Sequence, residues 1–208
     1  MISFEKITLS NGLRVLVNKD VNTPLAAFNI LYDVGARDEQ EHLTGFAHLF
    51  EHLMFSGSKN VPHFDKIVQL AGGTNNAFTS NDITNYYISL PVANIETAFY
   101  VDSDRLGYLD VSNKSVDVQK NVVIEEFNQR YLNQPYGDAM LLLRPMVYKE
   151  HPYRWATIGK STDHIEQASL KDVNNFYENH YNPNRAILSI SGNVDVNNMF
   201  RMAEKWFG

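Results

Sequence analysis

His48 and His52 stand four residues apart with Glu51 between them, in the stretch Gly45-Phe-Ala-His-Leu-Phe-Glu-His-Leu-Met-Phe55. Apolar residues recur there at helical spacing (Phe46, Leu49, Phe50, Leu53, Met54), so a helix is predicted over Thr44 to Phe55, with Gly57 as its stop. Residues four apart on a helix differ by about 40° around its axis, so the two imidazoles project side by side. At that spacing both can reach one zinc ion at roughly 2.0–2.1 Å. Glu51, three residues after His48, falls on the same general side, close enough to act on a water at that metal. A chance pair of histidines beside a solvated Glu is the alternative. Two His at i and i+4 around a Glu, on an otherwise apolar helix, argue for the metal. The order is H-x-x-E-H, which inverts the commoner H-E-x-x-H.

Catalytic zinc usually takes three protein ligands and leaves one position for water, so a third ligand must come from elsewhere in the chain. The run Val122-Val-Ile-Glu-Glu-Phe127 offers Glu125 and Glu126. Helical phase separates them. Glu126 has Val122 at i−4 and Val123 at i−3, at the edge of an apolar face, whereas Glu125 is flanked by Asn121, Asn128 and Gln129 and should point to water. A carboxylate at the border of an apolar face is costly unless it is paired or bound to metal. Glu126 is therefore the preferred ligand and Glu125 the fallback, against the alternative of an ordinary charged helix surface.

These groups need elements to hold them. Ile7 to Val17 reads as two strands around an Asn11-Gly12 turn, and Leu25 to Val34 as a buried strand bounded by Pro24 and Gly35. His63 to Ala71 is a short helix ended by Gly72-Gly73. Thr74 to Pro91 is two strands with a polar turn at Ser80-Asn81-Asp82. Asn94 to Leu109 and Lys114 to Asn133 are the long helices, and Asp138 to Tyr148 adds another with a break near Pro145. Leu170 to His180 is a helix and Ala186 to Ser191 a strand; Asp195 caps a last helix ending at Trp206. Strands precede, separate and follow the helices without strict alternation. The expected class is α+β, with an antiparallel or mixed sheet packed against helices. Residues 1–208 read as one domain, and the halt at Phe207-Gly208 after an apolar helix suggests a boundary within a longer protein.

Composition sets the outer limits. With 44% hydrophobic and 20% charged residues, plus 12 Phe and 11 Tyr, the chain has ample material for a core, and disorder is not expected. The net charge is −6 and the basic residues are scattered, which excludes the basic stripe that nucleic acid requires and disfavours an anionic membrane surface. The apolar runs are short, as at Ala139 to Leu143, so no bilayer span is expected. Charged and polar residues (Glu5, Lys6, Asn11, Arg14) interrupt the N-terminus. No secretory signal is visible, and a cytoplasmic location is the default. With no cysteine, any metal site must use His, Asp and Glu. His42 and His63 read as surface groups, and Tyr153, Trp155 and Tyr181 as packing aromatics. Arg105 reads as half of an ion pair whose partner the sequence does not name.

The chain resembles the pitrilysin/insulinase family of zinc metallopeptidases, the group of insulysin and the mitochondrial processing peptidase. The resemblance runs through Leu9-Ser-Asn-Gly-Leu-Arg-Val15, Gly45 to Phe55 and Gly72-Gly-Thr-Asn-Asn-Ala-Phe-Thr79 with Thr84 and Tyr86 after it. It continues through Val122 to Phe127, Phe176-Tyr-Glu-Asn-His-Tyr-Asn-Pro183 and Ile190-Ser-Gly-Asn193. The inverted motif together with Gly-Gly-x-x-Asn-Ala is what makes it specific. It implies a sheet packed on helices, like the metallohydrolase domain of the processing peptidase, and one zinc per chain held by His48, His52 and Glu126, with Glu51 as general base. Extended peptide would lie against an edge strand at Asn76, Ala77 and Phe78, where backbone pairing reads a chain with little regard to its side chains. It also implies a homologous second half, on the same polypeptide or a partner subunit, which is not in this chain; a homo-oligomer is an alternative arrangement.

One departure stands out. The family usually carries a Glu two helical turns before the metal-binding one, and here that position is Gln119. An amide still forms hydrogen bonds but supplies no negative charge behind the ligands. The expected function is zinc-dependent hydrolysis of extended or unfolded peptides. The alternative is a non-catalytic, peptide-binding or structural subunit of the same family, disfavoured because every expected ligand is present. A different metal-dependent hydrolase is disfavoured by the peptide-binding strand, which a small substrate would not use.

Overall fold

Asn11-Gly12 reverses the chain between β1 (Glu5–Thr8) and β2 (Arg14–Lys19), which pair antiparallel in the computed structural model, where residues 2–208 are described. Gly12 sits at φ +92°, a conformation that suits glycine, and Asn11 Oδ1 accepts the Leu13 N–H at 3.1 Å. The chain continues through β3 (Leu25–Tyr32), α1 (Phe46–Leu53), α2 (Phe64–Leu70), β4 (Thr74–Thr79) and β5 (Thr84–Pro91). Next come α3 (Ile95–Tyr108), α4 (Asn113–Phe127), α5 (Ala139–Val147), α6 (Thr162–Glu166) and α7 (Leu170–His180), then β6 (Ala186–Gly192) and α8 (Val196–Phe207).

The six strands form one sheet in the order β1-β2-β6-β3-β5-β4. The β2–β6 pair is parallel and the other pairs are antiparallel, so the sheet is mixed and the class is α+β, as expected. β6, from near the C-terminus, lies between β2 and β3, so both ends of the chain build the centre of the sheet. Period-two alternation sends Val15, Val17, Phe28, Ile30, Tyr32, Tyr86, Ile88, Leu188 and Ile190 to one buried face, against which α1, α3 and α8 pack. On the other face Asn29 and Asn85 exchange side-chain hydrogen bonds of 2.9 and 2.8 Å, beside the exposed Tyr87 and Phe78. β4 is an edge strand, paired with β5 alone.

Three local expectations change. The long helix expected to Asn133 is α-helical only to Phe127 and continues as a π-helical turn over Asn128–Leu132, closed by the Asn133 N–H on Asn128 O at 2.8 Å. The expected break near Pro145 is absent: α5 runs through it to Val147, although proline has no N–H to donate to the carbonyl four residues back. The short α6 had no sequence signal long enough to read. Its cap, Ser161, accepts the Asp163 N–H at 3.2 Å. Arg105 acquires its partner, Asp102, at 2.5 Å; both are buried, and the guanidinium lies 4.5 Å from the ring centres of Phe64 and Tyr86. Trp155 and Tyr181 are buried packing aromatics, whereas Tyr153 is half-buried and donates its hydroxyl to Asp82 Oδ1 at 2.5 Å. No helix among the described residues is long and apolar enough to cross a membrane.

Candidate metal centre

α1 carries two of the three converging groups, and its position is fixed at both ends. It starts at Gly45, whose φ of +92° and 2.7 Å approach of its would-be Cβ to Ile158 O leave no room for a side chain. With no side-chain cap from Gly45, the first N–H groups are met from outside the helix. The carboxyl group of Glu39 accepts the Gly45 N–H through Oε2 and the Ala47 N–H through Oε1, both at 2.9 Å. Glu39 is buried, and that burial pushes its pKa up to about 8 despite the two backbone donors. At the other end Phe50 stacks on Phe176 and Tyr181 at 5.5 and 5.0 Å between ring centres, and its carbonyl accepts the Tyr86 hydroxyl at 3.2 Å.

His48 and His52 project from this helix with their Nε2 atoms 3.4 Å apart. Glu126 reaches them from α4, its Oε2 lying 3.5 Å from His48 Nε2 and 3.2 Å from His52 Nε2. These three are the one group of metal-ligating side chains clustered within 4.8 Å among the described residues. Ligands about 2.0–2.2 Å from a tetrahedral zinc stand roughly 3.3–3.5 Å from one another. The spacing here matches those edges. Burial first, with His52 and Arg130 adding to it and Glu126 opposing, pulls the His48 pKa down to about 4, so its imidazole is neutral at pH 7, the form that binds metal. His48 Nδ1 faces the interior without a hydrogen-bond partner, so Nε2 carries the polar contacts of this ring. Two imidazoles and a carboxylate aimed at one point suit a cation there. The donor set fits zinc.

Glu126 is held in turn. Its Oε1 forms an ion pair with Arg130 Nη2 at 2.9 Å, which leaves Oε2 for the histidines. Gln119, half-buried two turns earlier on α4, does not take that place. Glu125 is exposed and accepts Gln129 Nε2 at 3.0 Å. The apolar border used to separate the two glutamates is partly misplaced: Val122 is 43% exposed, and Val123 and Phe127 make the buried face.

Glu51 Oε2 accepts the Thr79 hydroxyl at 2.5 Å, a contact the sequence did not suggest. Asn76, Ala77 and Phe78 lie on edge strand β4. Asn76 and Phe78 are exposed on the open face, and the Ala77 N–H, turned away from β5, is taken by Asn76 Oδ1 at 2.8 Å. His42 and His63 are exposed, as expected, while His164 Nδ1 lies 2.8 Å from Thr44 Oγ1 and 3.2 Å from the Thr44 N at the approach to α1.

Residues 14–151 match the family model described as Insulinase (Peptidase family M16), and residues 167–208 match Peptidase M16 inactive domain. The zinc protease PqqE of Helicobacter pylori is 36% identical over 206 residues, 98% of this chain and 46% of its own length. The mitochondrial-processing peptidase subunit beta of Caenorhabditis elegans is 27% identical over 204 residues, 97% of this chain and 44% of its own. Among solved structures, a protease from Helicobacter pylori superposes with a TM-score of 0.95 at 35% identity, over 100% of this chain and 50% of that one. The chain thus spans about half the length of these relatives.

Proposed function

The chain belongs to the insulinase family of peptidases (M16), and from that premise we propose that it is the metal-bearing half of a zinc-dependent endopeptidase. One observation carries the reading: three donor atoms on two helices converge at 3.2–3.5 Å, the edge lengths of a tetrahedral zinc site. His48, His52 and Glu126 would hold one zinc per chain. When bound, the metal polarises the scissile carbonyl and lowers the pKa of the attacking water. Glu51 removes a proton from that water as its oxygen adds to the carbonyl carbon, and returns the proton to the amine as the C–N bond breaks. The peptide lies extended along β4, pairing with backbone groups near Asn76, Ala77 and Phe78 and displacing the Asn76 side chain from the Ala77 N–H. Residues 1–208 act in this reading as one domain, completed by a homologous second half.

The test combines elemental analysis with a cleavage assay on the protein carrying that second half. One zinc per chain is expected. It should be lost in the His48→Ala, His52→Ala double variant and kept in Glu51→Gln, which should not cleave an unfolded peptide. Full zinc occupancy in the double variant would remove the assignment. Zinc bound at the site with no cleavage by the wild type would favour the non-catalytic reading.

A further inference from the structure

Glu51 is tied to the edge strand rather than to its own helix. Thr79, the last residue of β4, places Oγ1 2.5 Å from Glu51 Oε2, and both residues are half-buried. As a carboxylate Glu51 offers only acceptors, so the threonine hydroxyl is the donor. The register explains why it can reach. Thr79 pairs with Thr84 and Ala77 with Tyr86, residues of the helix-facing side of the sheet, whereas Asn76 and Phe78 pair with Tyr87 and Asn85 on the open side. Thr79 is also β-branched and stiff at χ1, in a strand whose partner Thr84 is buried and anchored through its own hydroxyl to Val34 O at 2.9 Å. A glutamate on a helix otherwise has several free torsions, and a hydrogen bond to its charged form restricts them.

We propose that Thr79 is the positioning residue for the general base, holding Oε2 so that Oε1 is the oxygen that takes the proton. The same residue belongs to the strand on which peptide is proposed to dock, so the base and the substrate share one rigid support. The inference rests on the reading of Glu51 given above. It requires a hydroxyl at position 79, not merely a branched side chain that packs well in a strand.

Two substitutions separate those requirements. Thr79→Val keeps the branched shape and strand preference but has no hydroxyl; Thr79→Ser keeps the hydroxyl and loses the branch. In the zinc-loaded protein with its second half, Thr79→Val should lower kcat about 10–100-fold with KM and zinc affinity unchanged, and Thr79→Ser should stay near wild type. A purely structural role predicts the opposite ranking, and that ranking would overturn the proposal. A readout independent of turnover is the carboxyl carbon NMR resonance of Glu51 in the same protein without zinc. It should move in Thr79→Val and return in Thr79→Ser; an identical resonance in all three would refute the contact. Inactive wild type would count against the proposed function, while the resonance still decides whether Thr79 holds Glu51.

Discussion

At the scale of single residues, the adjacent glutamates make opposite predictions. Glu126 points its Oε2 at both histidines and its Oε1 at Arg130, whereas Glu125 is exposed on a neighbouring phase of α4. Glu126→Gln should therefore weaken zinc binding far more than Glu125→Gln, as measured by competition with a chelator of known affinity. Equal losses, or the reverse order, would mean that the third ligand lies elsewhere. Arg130→Met keeps all three donors and frees only the outer oxygen, so its loss should fall within the lower part of the roughly 10–100-fold range for groups that orient ligands. His48, Glu51 and His52 were legible because a single helix sets their geometry. Glu126 was half legible: helix phase chose it over Glu125, but Val122, used to draw the border, is exposed. Thr79 and Glu39 left no sequence signal, because each acts on α1 only after the chain has brought distant segments together.

At the scale of elements, α1 is the part that must not move, and it begins on the carboxyl group of Glu39. Burial raises that group's pKa to about 8 from the ordinary 4.5, so the folded state holds a proton that the unfolded chain has released. The resulting stability is fully present below about 4.5 and is lost as pH rises through about 8. His48, depressed to about 4, acts in the other direction, but only below its ordinary 6.5. Burial also raises Asp102 to about 6, so its share is lost as pH rises through about 6, and between pH 7 and 8 the Glu39 effect stands apart. The metal-free protein should lose stability there by up to about 1.4 kcal/mol per pH unit, and Glu39→Gln should flatten the slope. Urea unfolding at the two pH values, with chelator present, measures it. A variant with the wild-type slope would show that Glu39 is not the group responsible. The hairpin, the central strands and the long helices were readable as elements from turn residues and periodicity. The placement of β6 between β2 and β3 was not, since order within a sheet is decided by packing across the whole domain.

At the scale of the molecule, the chain is about half as long as its relatives, and it leaves apolar surface uncovered. α5 exposes Leu142 at 63% and Met146 at 69%, and edge strand β4 presents unpaired backbone groups. Catalysis requires a peptide held in attack geometry and shielded from bulk water, which one open face does poorly. The 208 residues alone should therefore bind zinc, cleave peptides feebly and self-associate, which sedimentation and a turnover assay would show. The most direct measurement is zinc-dependent cleavage of one unfolded peptide by three samples: this chain alone, the chain joined to its second half, and the joined form carrying Glu51→Gln. The prediction is turnover in the second sample, at most a trace in the first, and none above background in the third. Equal turnover in the joined wild type and its Glu51→Gln variant would contradict the assignment of this site as the catalytic centre.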